Sequence, residues 1–144
     1  MDSGARIMGV DYGERRIGIA LSDPTGTLAS PFDTVLRRRG KRPPLTALEK
    51  IAHEHEVGGL VVGLPLTLAG EEDAWCIEVR RIGDELGRRL GLEVAYIDER
   101  MTSVVAERGI RTAGLRRKQR EDKSRVDAAA AAVILQRFLD RRVR

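Results

Sequence analysis

The run Gly59-Leu60-Val61-Val62-Gly63-Leu64 is apolar at every position. Side chains of a strand alternate between its two faces, so a strand of this kind needs cover on both sides. That single requirement calls for a sheet with other elements packed front and back, and the rest of the chain supplies them. Residues 6–12 (RIMGVDY) and 16–22 (RIGIALS) are β-branched and apolar, each bounded by turn residues, and read as strands. Gly18 in the second is small enough for another backbone to come close. After the turn Asp23-Pro24-Thr25-Gly26, residues 27–36 read as a third strand, with Pro31 arguing for an edge position or a bulge. Connections this short predict an antiparallel meander.

The period then changes. Leu45, Leu48, Ile51 and Ala52 form a helical stripe within 44–56. Residues 71–90 carry Trp75, Val79, Ile82 and Leu86 on one stripe and predict a long helix, and 92–97 (LEVAYI) predict a fifth strand. A short helix is expected over 102–113, a polar, mobile stretch over 114–124 and a last helix over 125–139. The order β-β-β-α-β-α-β-α-α gives an α/β fold. Its mixed five-stranded sheet combines a three-strand antiparallel meander with two parallel strands, has helices on both faces, and is expected to form one domain over 1–144.

Composition narrows the function. Cys76 is the single cysteine, which excludes an intrachain disulfide and a Cys-based zinc cluster and suits a reducing compartment. No apolar run approaches the roughly 18 residues of a membrane span, and the first residues lack the apolar core of a secretory signal, so no membrane partner and a cytoplasmic location are expected. Of the 26 Lys and Arg and 22 Asp and Glu, residues 111–144 hold 11 basic against 4 acidic, leaving 15 against 18 in residues 1–110. This imbalance suggests a polyanionic partner, although a solvated helical face has the same charge. The basic stretches are Arg37-Arg38-Arg39-Gly40-Lys41-Arg42, and Arg116-Arg117-Lys118-Gln119-Arg120 with Lys123 and Arg125. With aromatics at only 3%, contacts to phosphate backbone and shape are expected rather than base stacking.

Ligands of open α/β sheets gather beyond the carboxyl ends of parallel strands. Asp11 ends the first strand, and Asp98 and Glu99 follow the last. If those strands are parallel, the acids share one edge. Asp127 lies near the start of the final helix, on a stripe with Ala130, Ala131, Ile134 and Phe138 that should face the sheet. The alanines of 128–132 allow that helix to approach closely. Each acid also has a plain structural reading. Asp127 fits a capping box with Ser124, Asp98 and Glu99 fit the cap of a following helix, and Asp11 fits an Asx-turn into Gly13. Their convergence on one edge favours a site. Clustered carboxylates without Cys or a suitable His suit Mg²⁺ or Mn²⁺, and the chemistry so implied is phosphodiester hydrolysis. His53 and His55, two apart on a helix, cannot chelate one ion together and read as surface residues, and Cys76 reads as core.

Four blocks now resemble a known family. Val10-Asp11-Tyr12-Gly13-Glu14-Arg15-Arg16-Ile17-Gly18-Ile19-Ala20, Val61-Val62-Gly63-Leu64-Pro65-Leu66, Asp98-Glu99-Arg100-Met101-Thr102-Ser103 and Arg125-Val126-Asp127-Ala128-Ala129-Ala130-Ala131 are similar, in order, to the YqgF family, also called RuvX. The resemblance implies an RNase H-like fold and a cytoplasmic, metal-dependent nuclease. Processing of the 5′ end of precursor 16S ribosomal RNA in ribosome biogenesis is the leading reading, and resolution of Holliday junctions the alternative. It implies that Asp11, Glu99 and Asp127 are the catalytic, metal-holding acids, with Asp98 as a possible substitute. Arg15, Arg16 and Arg100, inside the matching blocks, join Arg116, Arg117, Lys118, Arg120, Lys123 and Arg125 as expected nucleic-acid contacts. Structured RNA or branched DNA would be the partner. A resolvase further needs a two-fold dimer, whereas an RNA nuclease can act as a monomer or a homodimer. The chain departs from the family in the turn Thr67-Leu68-Ala69-Gly70, where an Asn is usual. Two other classes are weaker. Actin-like ATPases and sugar kinases share the opening motif but need two such domains, and a non-catalytic nucleic-acid-binding module would lack an acid.

Overall fold

The structure, a computed structural model, describes residues 5–38, 40–101 and 123–142. Strands β1 (Arg6–Tyr12), β2 (Arg16–Ser22) and β3 (Ala29–Leu36) are followed by α1 (Leu45–Glu54), β4 (Val57–Leu64), α2 (Ala74–Leu90) and β5 (Val94–Asp98). A 3₁₀ turn covers Glu99–Met101, and α3 spans Lys123–Arg142. The sheet order is β3-β2-β1-β4-β5. β1, β2 and β3 form the antiparallel meander, and β4 pairs in parallel with β1 on one side and β5 on the other. The mixed five-stranded sheet is therefore as the sequence predicts. The carboxyl ends of β1, β4 and β5 share one edge, where the amino end of β2 and the carboxyl end of β3 also lie.

Alternation along the strands divides the core in two. Met8, Val10, Ile17, Ile19, Leu60 and Val62 pack on one face with Leu48 of α1 and Val79 and Leu86 of α2. Ile7, Ala20, Val61 and Ile97 pack on the other with Ala131, Ile134, Leu135 and Leu139 of α3. β4 contributes to both clusters, which is the two-sided burial its sequence demands.

The α3 face is built from small residues. A Cβ on Gly9 would lie 2.8 Å from the Leu135 Cβ and 3.0 Å from the Ala131 carbonyl oxygen. Gly18 is tighter still, because a Cβ there would collide with the Asp127 carbonyl. This is the close backbone approach that Gly18 and the alanine run predict.

Element ends shift from the sequence reading for identifiable reasons. α2 begins at Ala74 rather than 71, because the Asp73 carboxylate caps it by accepting from the Cys76 N–H at 2.9 Å. Glu71 is meanwhile held in a turn, its carbonyl accepting from the Thr67 N–H at 2.9 Å. β5 begins at Val94 rather than 92. Gly91 ends α2 in the left-handed region (φ 67°), and the Leu92 N–H returns to the Gly87 carbonyl at 2.9 Å. β3 lies at the sheet edge, and its register places Asp33 opposite Ile19 and Pro31 opposite Ala20, so Phe32 is the extra residue of a bulge. Both readings of Pro31 hold at once. α3 exceeds the expected 125–139 at both ends, and Lys123 and Ser124, expected in the mobile stretch, are helical. The helix expected over 102–113 and the remainder of 114–122 lie outside the described residues.

The close contact between α3 and the sheet makes one substitution diagnostic. Gly9→Ala gains about 0.5–1 kcal/mol in backbone entropy but forces Leu135 and the Ala131 backbone outward, an overpacking cost of about 1–3 kcal/mol. A net destabilisation is expected, read as a lower midpoint in urea unfolding with an unchanged m-value.

Candidate functional site

Small residues decide where each acid comes to rest. Asp11 is two residues beyond Gly9, so it faces α3 near the carboxyl end of β1, and it is only 3% exposed. Across the antiparallel ladder its register partner is Gly18, the glycine covered by the Asp127 backbone. On the other side, β1 and β4 run in parallel with Val10 beside Val62, which brings Gly63 next to Asp11. A Cβ on Gly63 would lie 2.8 Å from Oε1 of Glu99 and 2.6 Å from Cδ1 of Ile134, so the Glu99 carboxylate rests in the space that this glycine leaves. Glu99 is 5% exposed. The three acids thus occupy one face, with Asp11 on the middle strand and the others over its two neighbours.

Arg16 shares that face, two residues before Gly18. Its Nη1 lies 3.9 Å from Oδ2 of Asp127, with both side chains part-exposed. Arg16, expected on phosphate, already lies beside an acid within the protein. This contact supplies part of the compensation that a carboxylate on a packed face requires. The capping-box reading of Asp127 fails, because Ser124 is inside α3 rather than before it. The Asx-turn reading of Asp11 also loses its donor, because the Gly13 N–H is bonded to the Arg16 carbonyl at 2.9 Å.

Asp98 goes elsewhere. Ile97 packs on the α3 face, so Asp98 points to the opposite side of β5 from its predecessor. Its Oδ2 accepts from Nη2 of Arg100 at 2.7 Å, and its Oδ1 from the Arg100 N–H at 2.9 Å. Hydrogen bonds from the Arg100 side chain hold the Asp98 carboxyl below its ordinary value. Nη1 of Arg100 also donates to the Leu68 carbonyl at 3.2 Å, tying the end of β5 to the 67–70 turn. That turn, where the chain departs from its family, is closed by the Gly70 N–H on the Thr67 carbonyl at 2.8 Å and the Glu71 N–H on the Thr67 hydroxyl at 3.0 Å. Arg100, expected on nucleic acid, is thus engaged within the protein.

The other candidates divide simply. Arg15 is exposed in the β1–β2 turn. Lys123 and Arg125 contribute their backbones to the first turn of α3. Arg116, Arg117, Lys118 and Arg120 lie outside the described residues. Cys76 is fully buried, as a core residue should be. His53 is exposed, whereas His55 is half-buried and meets Phe32 edge-on at 4.6 Å between ring centroids, so it is not simply a surface residue. Sequence reasoning missed Gly63 as the seat of Glu99 and the Arg16–Asp127 contact. An alternation count from Val61 to Gly63 carried a signal for the first, but the second depends on tertiary placement alone.

Asp11, Glu99 and Asp127 are hard oxygen donors on one face, and the spaces over Gly18 and Gly63 are what let them draw near; this chemistry fits a divalent cation. Among the described residues, however, no three Asp, Glu, His or Cys side chains stand as a closed ligand set. Bare carboxylates repel one another, and each of these three has neighbouring interactions.

Comparison with known proteins follows the same lines. The model of the family described as "RuvX: Holliday junction resolvase" matches residues 5–141. A relative from Roseiflexus sp. (strain RS-1) is 43% identical over 138 residues, covering 94% of each chain. One from Koribacter versatilis (strain Ellin345) is 41% identical, covering 95% of this chain and 88% of its own. Both bear the name "Putative pre-16S rRNA nuclease". Among solved structures, RuvC of Thermus thermophilus in complex with a Holliday junction substrate matches with a TM-score of 0.60 at 15% identity, covering 96% of both chains. A second Thermus thermophilus RuvC structure gives 0.58 at 12% identity. The fold is therefore RNase H-like, as RuvC's is, and with the family model matching from the first strand to the last helix, this chain belongs to the RuvX family.

Proposed function

We propose that the chain is a divalent-metal-dependent endonuclease that hydrolyses phosphodiester bonds in structured RNA, with the 5′ end of precursor 16S ribosomal RNA as its substrate. One observation carries the reading. Two buried carboxylates, Asp11 near the end of β1 and Glu99 seated over Gly63 of the adjacent β4, lie on the face that α3 covers. Carboxylates gathered on one buried face repel one another, and a bound cation offsets that repulsion. Asp11, Glu99 and Asp127 would hold the ion, Mg²⁺ or Mn²⁺. When bound, it supplies Lewis acidity and a water acidified for attack on phosphorus.

The chain's own residues do the rest. Small side chains beneath α3 keep the acids close to the sheet. Arg16, beside Asp127, would hold that carboxylate in place and offer a guanidinium donor to a phosphate oxygen. Asp98 is read as the residue that fixes Arg100 and the 67–70 turn rather than as a fourth acid. A cytoplasmic setting accords with the free thiol of Cys76.

The description of the matching family favours a second substrate, the four-way DNA junction. Symmetric cleavage of two strands requires a two-fold dimer, whereas the RNA reading admits a monomer.

Both substrates are tested together, by incubating a labelled 5′ precursor fragment and a four-way junction with the protein and Mg²⁺ or Mn²⁺. Cleavage of the precursor fragment at a discrete site is expected. Cleavage of the junction alone, by a dimer, would transfer the reading to DNA. Asp11→Asn should reduce cutting by more than about 100-fold, beyond the usual cost of losing a mere supporting group, while binding measured in EDTA persists. Undiminished cutting would reject the site.

The Asp98 tie has its own test. Asp98→Asn should speed amide exchange at Gly70 and Glu71 by roughly fivefold, the equivalent of about 1 kcal/mol for a part-exposed ion pair. The depressed carboxyl pKa fixes the sign of the pH effect. The tie is fully present above the ordinary carboxylate range and is lost as pH falls through the lower, folded-state value. Exchange corrected for its intrinsic rate should therefore accelerate only at acid pH in the native protein and show no such step in the variant.

A further inference from the structure

The basic residues of α2 and those described after β3 differ in a way that the sequence does not show. Those of α2 are neutralised within the fold. Arg80 pairs with Glu72 at 2.8 Å, Arg81 with Glu78 at 2.9 Å, Arg88 with Glu85, and Arg89 with Glu49 at 2.9 Å. Those that follow β3 are not. Arg37, Arg38, Lys41 and Arg42 form no ion pair with any carboxylate among the described residues. Arg38, Lys41 and Arg42 are exposed.

Arg37 anchors this segment by other means. Its guanidinium carbon lies 4.9 Å from the ring centre of Tyr12 and 5.6 Å from that of Trp75, rings that are themselves 5.8 Å apart. Its N–H donates to the Arg15 carbonyl at 2.8 Å, and its buried Nε has no hydrogen-bond partner among the described residues. The cation is held by aromatic faces and backbone, and it forms no ion pair with a carboxylate among the described residues. Tyr12 directly follows Asp11, so this anchor stands on the strand that carries the central acid. Leu36 is the register partner of Arg16, which places the segment after β3 at the same sheet edge as the acids, on the β2–β3 side.

From the unpaired charge, the anchor and the shared edge, we infer that Arg37, Arg38, Lys41 and Arg42 form a second nucleic-acid surface, which grips substrate phosphates to one side of the scissile bond. The inference rests on the nucleic-acid reading of the acid face and adds to it where the flanking backbone lies. Unpaired cations keep their full charge for a polyanion and release its counterions on binding. The paired arginines of α2 cannot do so without first breaking their own contacts.

The test is a salt titration of binding in EDTA, where cutting plays no part, with a fluorescein-labelled RNA hairpin as probe. The triple variant R38A/K41A/R42A should bind more weakly, and its log–log slope against KCl should be shallower than the native slope by roughly 2 to 3, about 0.9 for each duplex phosphate that the protein no longer neutralises. R88A/R89A should leave the slope as it was. R38K/R42K keeps the charge and should keep the slope, which a merely structural effect would not do. Thermal unfolding confirms that each variant folds. A native slope in the triple variant, or an equal fall in R88A/R89A, would overturn the inference. The two readings fail separately. A shallower slope in a protein that cuts nothing leaves the surface standing without the nuclease, and efficient cleavage with an unchanged slope leaves the nuclease standing without this surface.

Discussion

The site depends on how near α3 comes to the sheet. Gly9, Gly18 and Gly63 lie beneath this helix, and alanines line much of the helix above them. Larger side chains at these positions would lift the helix and carry Asp127 away from β1. Dispersion and apolar burial across this seam hold the Asp127 backbone against Gly18, the register partner of Asp11. Ile134, Leu135 and Leu139, all fully buried, supply that attraction farther along the same helix.

The opposite face has a different task. There Leu48, Val79, Leu86 and the inward side of β4 form an ordinary aliphatic core, and Tyr12 and Trp75 close it at the edge where the acids lie. Arg37 rests on those two rings. One strand therefore serves both faces at its last two positions, with Asp11 turned toward α3 and Tyr12 toward a cationic support. The pleat of β1 enforces this division, and a one-residue slip in its register would exchange the two roles.

Much of this was legible in the residues. β1 and β2 have the predicted bounds, because turn residues mark both ends of each run. The bulge at Phe32 follows from Pro31, which cannot donate to a ladder. The starts of α2 and β5 were misplaced because residues such as Glu71 and Leu92 suit a helix or strand by type, yet their backbone groups are used in a turn and a helix terminus. For the site, alternation predicts that Asp98 and Glu99 face opposite ways, but the choice between them depends on Gly63, a neighbour in space far off in sequence. The engagement of Arg100 by Asp98 and of Arg16 by Asp127 was hidden for a related reason. Composition counts charges, whereas pairing depends on where they come to rest.

The irregular border strand has a bearing on assembly. With Pro31 lacking an N–H and Phe32 breaking the ladder, β3 offers no continuous row of donors and acceptors to an identical strand from another copy. Two molecules meeting at this border would have to join through side chains rather than by continuing the β3 ladder. A twofold particle joined at this border would then keep its two acid faces as distinct stations, whose separation is set by those side-chain contacts.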